Sequence, residues 1–134
     1  AVDRGRVKSR AETMRRAGLA LDRGSSMVLF PEGGIYTQNP PQLVPFKNGA
    51  FRLAMEKQIP IIPVTLSYNH VILADQKELI LKRMPAKMVL HQALHPAAFA
   101  TDEQLKDRCF EVIQEQLLKD NPATSTPENL PNPS

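Results

Sequence analysis

The pentapeptide Phe30-Pro31-Glu32-Gly33-Gly34, set directly after the apolar run Met27-Val28-Leu29, constrains this chain more than any other feature. Ser26 to Phe30 reads as a short strand, and Pro31, which has no N–H to give a ladder, marks where its hydrogen bonding stops. The two glycines allow a sharp turn and a close backbone approach. Helical spacing flanks this unit. Before it, Ala11, Met14, Ala17, Gly18 and Leu21 recur at three- and four-residue intervals, and Gly24 suits the left-handed cap that would end the helix. After it, Ala50, Phe51, Ala54 and Met55 repeat the pattern between Phe46 and Gln58, and Pro60 stops it. Ile59 to Leu66 is apolar without alternation, as expected of a strand covered on both faces by helices. Strands alternating with helices predict an α/β fold with a mainly parallel or mixed sheet flanked by helices.

At 134 residues, 42% of them hydrophobic, the chain has enough for one core. Residues 1–120 are expected to form the domain and 121–134, rich in proline, serine, threonine and asparagine, a tail. Ala86 to Leu90 reads as a further strand. Thr101 caps a helix running to about Lys119, with Leu105, Cys109, Val112, Ile113 and Leu117 inward. Ala1-Val2 reads as the end of a strand already under way, so the domain is expected to be incomplete at its amino terminus. The net charge of +3 is too weak a bias for nucleic acid. Its local form, Arg4, Arg6, Lys8 and Arg10 followed by Arg15 and Arg16, fits an anionic substrate, an anionic membrane surface or a solvated helix face. The single cysteine, Cys109, excludes an internal disulfide, and no run is long enough to span a membrane.

The long loop from Gly33 to Pro45 has no periodicity, and loops of that length are often functional. Glu32 stands just past a strand end and can accept hydrogen bonds, while Gly33 and Gly34 leave backbone N–H groups open to a ligand. Lys47 starts the next helix, and Arg4 follows the first strand-like residues. Cations beside helix amino termini and glycine amides suit a phosphate better than they suit packing. The plain alternative is a turn with its glutamate paired to an arginine. A P-loop and a dinucleotide fingerprint are both absent, and His70, His91 and His95 lack metal-site spacing, so no metal is expected.

These blocks, Phe30-Pro31-Glu32-Gly33, Phe46-Lys47-Asn48-Gly49-Ala50 and Ile61-Ile62-Pro63-Val64, with Val2-Asp3-Arg4 upstream, resemble the PlsC-like glycerophosphate and lysophosphatidic acid acyltransferases in order and separation. The resemblance implies a glycerolipid acyltransferase-like fold. It also implies transfer of a fatty acyl group from acyl-CoA or an acyl carrier protein, with no tightly held cofactor, to a hydroxyl of a lysophospholipid or related lipid. Such an enzyme belongs to phospholipid biosynthesis and would lie in the cytoplasm at the inner surface of a membrane. Carried over residue by residue, Arg4, Glu32, Gly33, Gly34 and Lys47 would line the acceptor site, and Pro63 would shape the acyl side.

The sequence departs from the family pattern in two places. Gly34 and Ile35 stand where the family continues with threonine and a phosphate-reading arginine. The histidine and aspartate that supply the family's catalytic base precede the Pro-Glu-Gly block, where this chain has no counterpart. No catalytic residue is therefore assigned, and the chain alone is expected to lack the base. His70 and Asp75 have a similar spacing but lie downstream of the last block, and a loop histidine near a turn aspartate is the preferred reading. A noncatalytic lipid- or anion-binding module on the same scaffold is the competing expectation.

Overall fold

The computed structural model describes residues 4–33, 42–68 and 85–122, with the side chains of Arg4 and Arg6 outside that description. The elements follow in the order α1 (Arg4–Asp22), α2 (Gly49–Lys57), β1 (Val64–Leu66), β2 (Met88–Leu90), a 3-10 turn (Pro96–Ala98) and α3 (Asp102–Asp120). Together they make an α/β fold with a small sheet. Gly34, Ile35, His70 and Asp75 lie outside the described residues, as does the tail from residue 123.

Helix α1 starts at Arg4, earlier than the apolar spacing alone implies, and it ends at the glycine expected to cap it. Gly24 adopts φ 87°, its N–H donates to Leu21 O (3.0 Å), and Ser25 N–H donates to Ala20 O (3.1 Å), the paired bonds of a Schellman cap. Helix α2 stops at Gln58, which takes φ 52° so that Ile59 N–H can reach back to Ala54 O. In α3, Thr101 accepts from Gln104 N–H (3.2 Å) while Gln104 Oε1 accepts from Ala100 N–H (3.0 Å).

The core lies between α2 and α3. Phe46, Phe51, Ala54, Leu105 and Cys109 are buried together. The Phe46 ring stacks on Phe51 at 6.1 Å and meets Phe110 edge-on at 5.0 Å. Burial pushes the Cys109 thiol up to about 11, which leaves it protonated and inert at neutral pH.

The strands differ from expectation. Ser26 to Phe30 joins no ladder among the described residues, and Val28 (85%) and Phe30 (74%) are largely exposed. An apolar run becomes a strand only where a neighbouring backbone bonds to it, and none of the described segments does so here. The pairing that does form among the described residues is antiparallel, Val64 with Leu90 and Leu66 with Met88, which falls within the mixed form of the sheet expected from the sequence. The ladder continues to a bridge between Ile61 and Leu94, with one extra residue on the 90–94 side. That bulge sits opposite Pro63, which offers only its carbonyl, taken by His91 N–H at 2.9 Å.

Strand β1, expected to be covered on both faces, is covered on one face only by the described residues. Pro63, Thr65 and Ser67 are buried, whereas Ile62, Val64 and Leu66 are exposed. Burying hydroxyls is tolerable because each is bonded. Thr65 Oγ1 meets His91 Nε2 at 2.7 Å, and Ser67 Oγ donates to Asp120. Asp120 also accepts from Lys87 Nζ (2.7 Å) and Gln116 Nε2 (2.9 Å), while Asn121, the first residue of the expected tail, donates to Ser67 O (2.6 Å). This clasp fastens the end of α3 to the end of β1.

Two outcomes test this packing. Cys109 should resist a thiol reagent at pH 8 in the native protein and react fully in denaturant; rapid native labelling would refute its burial. The hydrogen bonds from Gln116, Lys87 and Ser67 hold the Asp120 carboxyl well below the usual carboxylate range. Because the folded value lies below the unfolded one of about 3.9, the stabilisation is present above about pH 4 and is lost as pH falls towards the folded value. Asp120→Asn should lower the melting temperature at pH 7 and flatten its acid dependence, read by circular dichroism from pH 7 to 2.

Candidate functional site

The turn at residues 31–33 and the approach to α2 at residues 43–47 are tied together by two hydrogen bonds. Lys47 N–H donates to Pro31 O at 2.8 Å, and Val44 N–H donates to Glu32 Oε2 at 3.2 Å. Gly33 N–H closes the turn onto Phe30 O at 3.0 Å, with φ 73° at Gly33. Pro31 and Glu32 are half-buried, whereas Gly33 and Lys47 are exposed. The Lys47 side chain runs across Gly33: a Cβ there would fall 2.5 Å from Nζ, 2.6 Å from Cε and 2.9 Å from Cδ.

Asn48, the next residue, anchors this corner to α3. Its Nδ2 donates to Glu103 Oε1 (3.0 Å) and its Oδ1 accepts from Lys106 Nζ (2.6 Å), while Lys106 also pairs with Glu103 at 2.9 Å. Lys47 is thus held by its own amide on one side and by the Asn48 side chain on the other. Its ammonium has no ion pair among the described residues.

Helix α1 crosses α2 where glycines permit it. Met14 Sδ would lie 3.2 Å from a Cβ on Gly49, and Gly18 would place one 3.5 Å from Leu53 Cδ1. Asp22 then pairs with Lys57 at 2.8 Å. Met14 beside Gly49, Gly18 beside Leu53 and Asp22 beside Lys57 make the two helices run in the same direction. The amino-terminal part of α1 therefore overhangs the Lys47 end of α2. Arg4 starts about 15 Å along the α1 axis from Met14, at ten residues of 1.5 Å rise.

The structure brings Glu32, Gly33 and Lys47 to one corner and sets the backbone of Arg4 on the same end of the helix pair. Gly34 lies outside the described residues. Pro63 is buried in the lead to β1, and its carbonyl serves the ladder. Glu32 pairs with no arginine among the described residues and instead holds a backbone amide. In the basic amino-terminal stretch, Glu12 takes Arg15 (2.8 Å) and Arg16 (3.1 Å) on the surface of α1 itself. The bond from Glu32 to Val44 and the crossing of Gly33 by Lys47 had no signal in linear spacing, because a loop separates the partners. Asn48 stood inside a recognised block, but nothing in its neighbours pointed to Glu103 or Lys106. Among the described residues no group of histidine, cysteine and acidic side chains could hold a metal ion.

Residues 1–67 match the Acyltransferase family, and the chain belongs to that family. A 1-acyl-sn-glycerol-3-phosphate acyltransferase of Brassica napus is 28% identical over 88 residues, which is 66% of this chain and 25% of that protein. One from Chlamydomonas reinhardtii is 28% identical over 110 residues, 82% of this chain and 32% of that one. The crystal structure of the 1-acyl-sn-glycerophosphate acyltransferase PlsC from Thermotoga maritima superposes with a TM-score of 0.69 at 22% identity, over 84% of this chain and 46% of that one. This chain has the glycerolipid acyltransferase-like fold and spans about a quarter to a third of the length of these two curated relatives.

If Asn48 fixes the corner, Asn48→Ala should speed hydrogen exchange of the Lys47 amide while the Leu105 amide stays protected. Unchanged exchange at Lys47 would show that the Pro31 bond holds without it.

Proposed function

We propose that the chain is the acceptor-binding part of an acyltransferase that moves a fatty acyl group from acyl-CoA or acyl carrier protein to a hydroxyl of a lysophospholipid or related lipid. The observation that carries this reading is the corner where the Lys47 ammonium, unpaired among the described residues, lies over the Gly33 backbone, in the turn whose Glu32 carboxylate accepts from Val44 N–H. Membership of the Acyltransferase family supports the same reading. An ammonium held at an exposed turn offers charge to an anionic head group. Arg4, whose backbone starts α1 at the same end of the helix pair, and Gly34 are proposed as further acceptor-site residues on the strength of the family match. Pro63 belongs to the acyl side of the site. Glu32 keeps acceptor capacity beyond the bond to Val44 and orients the acceptor.

In the reaction, the acceptor oxygen attacks the thioester carbonyl, a C–O bond forms, the C–S bond breaks and the thiol leaves with the proton that the hydroxyl gave up. A hydroxyl is a poor nucleophile until a base takes that proton. Of the two described histidines, His91 is engaged with Thr65, and neither is among the residues that make this corner. We assign the base to a histidine–aspartate block of the family type, outside residues 1–134. The enzyme works peripherally at the cytoplasmic face of a membrane. No helix among the described residues is long and apolar enough to cross one.

The purified chain should bind glycerol 3-phosphate, lose about tenfold in affinity on Lys47→Ala, as expected for one charge-assisted contact, and show no acyl-CoA- or acyl-carrier-dependent transfer. Transfer that disappears on His70→Ala would overturn the assignment of the base. Glycerol 3-phosphate affinity unaffected by Lys47→Ala would overturn the acceptor site. Binding without transfer by a full-length protein with no histidine–aspartate block would favour the noncatalytic module.

A further inference from the structure

We propose that Gly33 is a positioning residue for Lys47: its bare backbone is the shelf across which the lysine stem lies, so that the ammonium is delivered to one fixed point at the mouth of the site. The inference rests on the acceptor-site reading above and gives residue 33 a role different from direct contact with a ligand.

Three observations converge on it. The Cδ, Cε and Nζ atoms of Lys47 all lie within 2.9 Å of where a Cβ on residue 33 would stand, so the stem occupies the space that any side chain would fill. The positive φ of Gly33 turns that open side towards the lysine. The origin of the stem is fixed independently, by Lys47 N–H on Pro31 O and by Asn48 on Glu103 and Lys106. With its base pinned and its length laid on the backbone, the side chain has few rotamers left to lose when an anion binds, and the entropy cost of ordering it falls accordingly. Gly24 provides the contrast: it too has a positive φ, but no atom lies within 4 Å of its hypothetical Cβ, so there the glycine serves the backbone alone.

Since Lys47 is exposed and its stem can be pushed out into solvent, a substitution at Gly33 should displace the ammonium without dismantling the fold. The ligand chemistry is the anionic head group of the proposed lipid acceptor, and the probes are inorganic phosphate and glycerol 3-phosphate. Two variants separate displacement from backbone strain. Gly33→Ala introduces the Cβ together with left-handed strain, whereas Gly33→Asn introduces the same Cβ in a residue that tolerates that conformation.

The expected result is that both variants weaken phosphate binding towards the level of Lys47→Ala, about tenfold, while only Gly33→Ala lowers the melting temperature appreciably. The NMR shift of Lys47 Cε should move towards that of a free lysine in both. In a Lys47→Ala background, Gly33→Asn should change affinity no further. Gly33→Asn binding phosphate as tightly as the parent, with an unmoved Lys47 signal, would overturn the proposal while leaving the acceptor site standing. Lys47→Ala binding phosphate normally would remove the acceptor site itself. Glycerol 3-phosphate held more tightly than inorganic phosphate, with the preference kept in both Gly33 variants, would place its glycerol contacts away from residue 33; loss of that preference in Gly33→Asn alone would mean that residue 33 touches the ligand directly, against the proposal.

Discussion

The position of the candidate site depends on Phe46. Its ring is wedged between Phe51 and Phe110 and is 7% exposed, so the backbone at residue 46 is fixed by the same cluster that joins α2 to α3. Lys47 follows immediately, is exposed and lies across Gly33. One residue inside and the next outside converts core packing into a set position for a charge. Removing a buried phenylalanine typically costs about 3–5 kcal/mol. At this position the loss would also release the start of α2, where the Pro31 carbonyl and Asn48 hold the turn and α3 to it.

Helix α3 serves as the fixed member against which the other elements are set. At its first turns Glu103 and Lys106 hold Asn48, and at its end Asp120 gathers Ser67 and Lys87. Exposed ion pairs contribute little singly. The Asp120 side chain, however, is only 6% exposed and has several donors, and removing one partner of such a cluster leaves a nearly enclosed charge short of hydrogen bonds. His91 responds to pH in the same direction at a higher range. Burial lowers its pKa, so its neutral form suits the folded state, and stability present above about pH 6.5 declines as pH falls through the folded value.

The helices were largely legible in the sequence because their signals are local. Gly24, Thr101 and the spacing of Leu105, Cys109 and Leu117 act within a few residues, and each does in the fold what its pattern implied. The sheet was not legible to the same degree. Apolar content at 59–66 reported a strand but not its direction or its inward face, since both depend on what lies alongside. The absence of alternation implied burial on both faces, yet only Pro63, Thr65 and Ser67 are buried, and the hydroxyls among them are bonded to His91 and Asp120. Within the site, residue types at the right blocks identified Glu32, Gly33 and Lys47. Their mutual contacts needed the folded chain.

The outward face of β1 and β2 follows from the same arrangement. With hydroxyls turned in, Val64 and Leu66 stand beside Leu90 and Met88 on the exposed side, and Met88 (63%) and Leu90 (67%) keep most of their surface in water. Each Å² of apolar surface withheld from burial forgoes about 25 cal/mol. Within the described residues this small sheet is held on its inner side, through the ladder and the polar contacts to His91 and Asp120. Hydrogen bonds of this kind are directional where hydrophobic contact is not. The strand pair is thus held in register with β1 fastened to α3, and through α3 to the corner that carries Lys47, by geometry that a shift of one residue would break at Thr65 and Ser67 together.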